Sequence, residues 1–126
     1  MATRRVYLSF DFDHDDELRG GFLAQASRHS THKIVDCSLP APVDGRWTRE
    51  ARKRIAQADV VVFICGENTH SANGVEVEMT LTRQLGKSYF LLKGRPRRTC
   101  SRPRNARLSD VIHAWSWRRI NALLDP

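Results

Sequence analysis

The stretch VVVFIC, Val60 to Cys65, is apolar at every position and is bounded by Asp59 and Gly66. Six residues are too few for an ordinary helix, and successive side chains of a strand point to opposite faces. An apolar run without alternation is therefore a strand covered on both sides, which is the mark of a parallel sheet packed between helices. The neighbouring segments fit that sheet. Arg4–Phe10 alternates through Val6, Leu8 and Phe10 as a strand, and Lys33–Cys37 is a second, shorter one. Ser88–Lys93 reads as a further strand, and Asp110–His113 as a short fifth. Between them, His14–Arg28 carries Leu18, Phe22 and Ala26 at helical spacing, although Gly20 and Gly21 each weaken that helix by about 1 kcal/mol. Trp47, Ala51, Ile55 and Ala58 form one face of a second helix, Val75–Leu85 is a third, and Trp115–Leu124 closes the chain. SLPAPVDG and GENTHSANG read as loops. Alternating strands and helices imply right-handed crossovers in an α/β, flavodoxin-like three-layer sandwich of about five parallel strands. The expected organisation is one domain over residues 1–126.

Such sheets bind ligands outside the carboxyl ends of their strands. At that edge the sequence places SFDFDHDD, Ser9 to Asp16, with four aspartates in eight residues of a chain whose formal charge is +7. A receiver domain also carries acids there, but needs a phospho-accepting Asp where this chain has Cys65-Gly66. A haloacid-dehalogenase phosphatase has a DxD like Asp11-Phe12-Asp13, but needs a second acidic pair to hold magnesium. Ser88–Lys93 runs instead into Gly94-Arg95-Pro96. The cluster is read as a helix start, with Asp13 as N-cap and Asp15, Asp16 and Glu17 in the positive first turn. Asp11, ahead of that cap, is left free to touch a ligand, and no metal site is expected.

Composition narrows the remaining classes. Cys37, Cys65 and Cys100 form no CxxC, which fits reduced thiols rather than a zinc site or disulfide framework. No apolar run reaches the roughly 18 residues of a membrane span, and MATRRVYLSF lacks a signal-peptide core, so a cytoplasmic location is expected. KGRPRRTCSRPRNAR, residues 93–107, holds seven of the 21 Lys and Arg and no acid. It has no interleaved aromatics and two prolines, so it is read as a mobile, dispensable surface loop, and nucleic acid is not an expected partner.

One carboxylate breaks the solvated pattern. At roughly 100° per residue from Val75, Glu78 falls near 300°, within the stripe of Met79, Leu81, Thr82 and Leu85. Glu76 falls near 100°, with Thr80 and Arg83, on the polar side. A carboxylate on a core face calls for a partner or a task. Glu78 is thus either a buried acid satisfied by neighbours or a functional group at the ligand edge.

RVYLSFDFDHDDELR, ADVVVFICGENTHSANGVEVEM, LGKSYFLL and the closing DVIHAWSWRRI, in that order and spacing, resemble the TIR-like domains of the Thoeris anti-phage defence system. The resemblance spans nearly the whole chain. It implies an NAD⁺ glycohydrolase or cyclase that releases nicotinamide and makes an ADP-ribose-type signal, cyclic in some members, for a separate effector protein. NAD⁺ is then substrate, no further cofactor is implied, and self-association is a property of the group. Gly74 to Glu78 occupies the position of the family's W-V-x-x-E motif, so the catalytic position falls on Glu78. Gly74 departs from the family tryptophan. Ser9, Phe10 and Asp11 are candidate ribose or nicotinamide contacts, and Thr69 and His70 are weaker ones, with His70 as a candidate general acid. Trp47 is read as packing. The alternative is a TIR-like interaction or nucleotide-binding module without catalysis.

Overall fold

Val60–Cys65 is buried along its whole length, as its apolar run requires. It is strand β3 of a computed structural model that describes residues 2–39 and 46–125. Around it stand β1 (Thr3–Ser9), α1 (Phe12–His29), β2 (Lys33–Asp36), α2 (Trp47–Gln57), α3 (Asn73–Gln84), β4 (Ser88–Lys93), β5 (Ile112–His113) and α4 (Trp117–Leu124). A single 3₁₀ turn, Thr69–Ser71, interrupts the loop between β3 and α3. The five strands are parallel and lie in the order β2-β1-β3-β4-β5. This is a flavodoxin-like α/β fold, and its strand order reverses between β1 and β3, where crevices open in such sheets. Most of the SLPAPVDG loop lies outside the described residues.

The two faces of β1 and β3 feed separate cores. Val6, Leu8, Val62 and Ile64 pack with Phe22 of α1 and Ile120 and Leu124 of α4. Tyr7, Val61 and Phe63 pack with Ala51 and Ile55 of α2 and with Val75 and Met79 of α3. Each fully buried aliphatic or aromatic side chain contributes about 1.5–3 kcal/mol, so the alternation along β1 fixes which helices cover which face. The register aligns Val6 with Val60 and Ser9 with Phe63, which brings the carboxyl end of β1 beside β3.

Helix α1 runs through Gly20 and Gly21, because Phe22 and Ala26, which follow the pair, are buried and hold its weak backbone to the sheet. Its irregular point is Asp15, whose φ of −125° and ψ of 17° leave the helical region. Helix α3 begins at Asn73, two residues before the expected Val75, and Gly86 ends it at φ +63°, a conformation that favours glycine.

The basic loop departs from expectation. Its anchors are mostly backbone and side-chain hydrogen bonds, with scattered apolar contacts that carry no periodicity. Ser101 donates its backbone N–H to the Gly66 carbonyl at 2.9 Å, and Asn105 Nδ2 donates to the Glu76 carbonyl at 3.0 Å. Arg102 Nη1 donates to the carbonyls of Leu108 and Asp110 at 3.0 and 3.1 Å, while Pro103 is buried. Arg95 reaches back across the sheet edge to α1. Among the described residues, no helix is long and apolar enough to cross a membrane.

Candidate functional site

Beyond the carboxyl ends of β1 and β3, a cleft of about 260 Å³ opens between the start of α1, Trp47 at the start of α2 and the first turns of α3. Glu78 lines it from α3 and is only 4% exposed. The α3 stripe of Val75, Glu78, Met79, Leu81 and Thr82 faces inward, so helical phase located this carboxylate correctly. With α3 starting at Asn73, Glu78 sits in the helix's second turn. Glu76 is half-buried rather than fully solvated, on the side where Asn105 meets its carbonyl.

Behind Glu78 stand two hydroxyls of β1. Tyr7 donates its phenolic O–H to Oε2, and Ser9 Oγ donates to Oε1 at 2.9 Å. Residues two apart on a strand share a face, which is why both can reach one carboxylate. Burial pushes the Glu78 carboxyl up to about 7, while the two hydroxyl hydrogen bonds hold it down against that rise. Tyr7 is itself pushed up by burial and by the Glu78 charge, so its proton stays on oxygen and its role is to donate. The result is an acid that changes charge near neutrality on the wall of a cleft.

Replacing Tyr7 by Phe removes one of these donors without emptying the core. The Glu78 carboxyl then titrates above its present value, and the fold loses about 1–3 kcal/mol when that acid is charged. Carbon NMR of the Glu78 carboxyl reads the shift, and an unchanged titration would show that the phenol does not act on it.

The other expected site residues divide. Phe10 lines the cleft but is 2% exposed, and its ring centroid lies 4.6 Å from that of Phe12, so it is mainly a core residue with one edge on the cleft. Ser9 is behind Glu78 and acts on it rather than lining the opening. Thr69 accepts the Gly66 N–H on its hydroxyl at 2.8 Å and is buried, which braces the turn after β3. His70 is exposed and contacts Ser101 Oγ through its Nδ1 at 2.9 Å. Neither Thr69 nor His70 lines the cleft.

The acidic cluster is a helix start, with a shift of two residues. Asp11, not Asp13, is the N-cap: its Oδ1 accepts the Asp13 N–H at 3.0 Å. Asp11 is therefore not free. Its Oδ2 also holds His14 Nδ1 at 2.6 Å, and His14 lines the cleft opposite α3. The expected cap failed because both aspartates suit the position and only the strand's end at Ser9 decides between them. Among the described residues, no group of three or more His, Cys, Asp or Glu is arranged to hold a metal ion.

Asp15 is the second correction. It stands in the first turn as expected but is not solvated: it is 2% exposed and pressed over Gly66 just after β3. Arg95 Nη2 bonds its Oδ1 at 2.9 Å and also binds Glu17 and the His14 carbonyl. Burial still raises the Asp15 carboxyl above its ordinary value despite the arginine. A Cβ at Gly66 would lie 2.1 Å from Asp15 Oδ2, so Gly66→Ala forces the buried ion pair to move. The expected loss is about 1–3 kcal/mol, read as a lower melting temperature. An unchanged melting temperature would mean that Asp15 can swing away freely.

Gly74 faces Trp47. A Cβ at Gly74 would stand 3.5 Å from Cη2 of that indole, and both residues line the cleft. The aromatic surface beside the α3 motif thus comes from the neighbouring helix, a role that sequence periodicity, which found only packing at Trp47, does not reveal. No protein-family profile matches the chain, and no curated protein matches it significantly.

Proposed function

We propose that the chain is a TIR-like NAD⁺ glycohydrolase or cyclase that cuts the nicotinamide–ribose bond and releases an ADP-ribose-type product, linear or cyclic, as a signal to a separate effector in anti-phage defence. The observation that carries this reading is Glu78, a buried carboxylate titrating near 7 on the wall of a cleft at the sheet's switch point, at the position where the resembled motif has its catalytic acid. Departure of nicotinamide leaves positive charge on the ribose. A carboxylate held away from water stabilises that charge and accepts the ribose hydroxyls, as glycosidase carboxylates do. Tyr7 and Ser9 hold the two oxygens from behind and favour the charged form.

The size of the cleft suits the reacting end of the dinucleotide. At about 260 Å³ it falls below the roughly 300–1,000 Å³ of drug-sized ligand pockets, so nicotinamide and its ribose enter while the adenylate stays outside. Trp47 gives the flat apolar wall against which a nicotinamide ring packs. Gly74 and the basic loop favour the non-catalytic alternative, and the indole of Trp47 beside that glycine weakens the first of these supports. Incubating the purified protein with NAD⁺, alone and with phage lysate, and following nicotinamide by chromatography tests the reading. Nicotinamide release is expected. Its absence under both conditions returns the chain to the interaction-module class.

A further inference from the structure

Cleavage of NAD⁺ is unbalanced in protons, and that imbalance has a structural counterpart. Nicotinamide leaves with the electron pair of its bond to ribose and departs neutral, so it needs no acid. The incoming water or ribose hydroxyl forms the new C–O bond and must give up a proton. A base beside the cleft therefore has work separate from that of Glu78, which is already held by two hydroxyls and is assigned to the developing charge on the ribose.

Among the described residues, the ionisable side chains that line the cleft are Asp11, Asp13, His14 and Glu78. Asp11 is committed on both oxygens, to the Asp13 N–H and to His14. Asp13 is exposed, and among the described residues no neighbouring side chain orients it. His14 is different. Its Nδ1 is 2.6 Å from a carboxylate that is itself 7% exposed, and its own side chain is 54% exposed. With the proton of the neutral ring on Nδ1 toward Asp11, Nε2 is left as the acceptor. Nucleophile-activating histidines are oriented by a third group in the same way.

We infer that His14, oriented by Asp11, is the general base that takes the proton from the acceptor water or hydroxyl as it attacks the ribose held by Glu78. The inference rests on the NAD⁺ reading above. The proton moves to Nε2 as the C–O bond forms and passes to bulk solvent from this half-exposed ring. Asp11, Asp13 and Asp15 surround the ring from its own turn, Glu78 faces the same cleft from α3, and Arg95 holds the His14 carbonyl from the loop after β4. The hydrogen bond and charge of Asp11 hold the imidazole above its ordinary value, which strengthens it as a base and moves its working range toward higher pH.

The test compares wild type with His14→Asn and His14→Ala. Asn keeps a donor where Nδ1 stood and cannot serve as a base, so it preserves the contact to Asp11. NAD⁺ turnover is expected to fall by on the order of 100-fold in both variants. Azide attacks without losing a proton, so adding it restores nicotinamide release in the variants and yields the ribosyl azide. The histidine step of the pH profile vanishes from that azide reaction, and the Glu78 step stays. Wild-type rates in His14→Asn, or a loss that azide does not repair, overturns the assignment and leaves the NAD⁺ reading intact. No nicotinamide from wild type overturns both.

Discussion

On the proposed NAD⁺ reading, Glu78→Gln lowers nicotinamide release by about 100- to 1,000-fold, while the protein stays folded and becomes more stable than wild type above neutral pH. The activity half follows from charge. Gln keeps the shape and the hydrogen-bonding capacity toward Tyr7 and Ser9 but cannot stabilise a cationic ribose, and removing one preorganised electrostatic group from an enclosed site costs about 100- to 1,000-fold even when other groups remain. The stability half follows from linkage. The carboxyl is raised from 4.5 in the free chain to about 7 in the fold, so between those values the native state binds the extra proton. Stability is therefore full below the lower value, falls as pH rises through the window, and is lower by about 3 kcal/mol once the native carboxyl is ionised. Gln has no such window. Denaturant melts of both proteins across the window read the difference, which should grow with pH and vanish in acid. Parallel pH curves would mean that Glu78 is not desolvated, and equal turnover would remove it from the chemistry. Glu76→Gln is the control: it is half-buried, its side chain has no partner among the described residues, and the expected change is within about ±0.5 kcal/mol.

The fold was legible because its signals are local and redundant. An uninterrupted apolar run of six residues, four of them β-branched, is too short for a helix and reads as a doubly covered strand, and alternation in Val6, Leu8 and Phe10 points those residues to the α1 and α4 face. Glu78 was legible for a related reason, since a helix has one phase and an acid within its apolar stripe is conspicuous. Its partners were not. Tyr7 looked like an ordinary strand aromatic, and only the pairing of β1 with β3 puts its hydroxyl under α3. A period-two reading would have found the signal, because Tyr7 and Ser9 are the polar-tipped residues on the face opposite Val6 and Leu8. His14 and Trp47 were missed because a cleft is a property of three elements meeting, and each residue has a sufficient local explanation in a helix start. Thr69 and His70 show the converse: loop residues at the right edge can be spent on bracing the loop itself.

Arg95→Ala lowers stability by about 3 kcal/mol at neutral pH, whereas removing Arg97 and Arg104 together leaves the melting temperature almost unchanged. Sequence alone puts all three arginines in one basic loop, and the structure separates them. The side chains of Arg97 and Arg104 have no partner among the described residues, and surface changes of that kind fall within about ±0.5 kcal/mol each. Arg95 instead neutralises Asp15, a carboxylate 2% exposed whose Oδ2 already lacks a hydrogen-bond partner. Removing one member of a buried pair leaves the other charged and desolvated, at a cost of about 3–5 kcal/mol. The low end applies because Arg95 retains 28% of its own exposure, so water reaches the pair from one side. The sign with pH is definite. Burial already raises the Asp15 carboxyl, and without Arg95 it rises further, so the variant's deficit is largest once Asp15 is ionised and shrinks as acid protonates it. Asp15→Asn placed on top of Arg95→Ala removes the stranded charge and should recover most of the loss. The double variant decides between charge and packing: if it is no more stable than Arg95→Ala alone, the arginine acts as a strut holding the β4 edge to α1, and its charge is incidental to the fold.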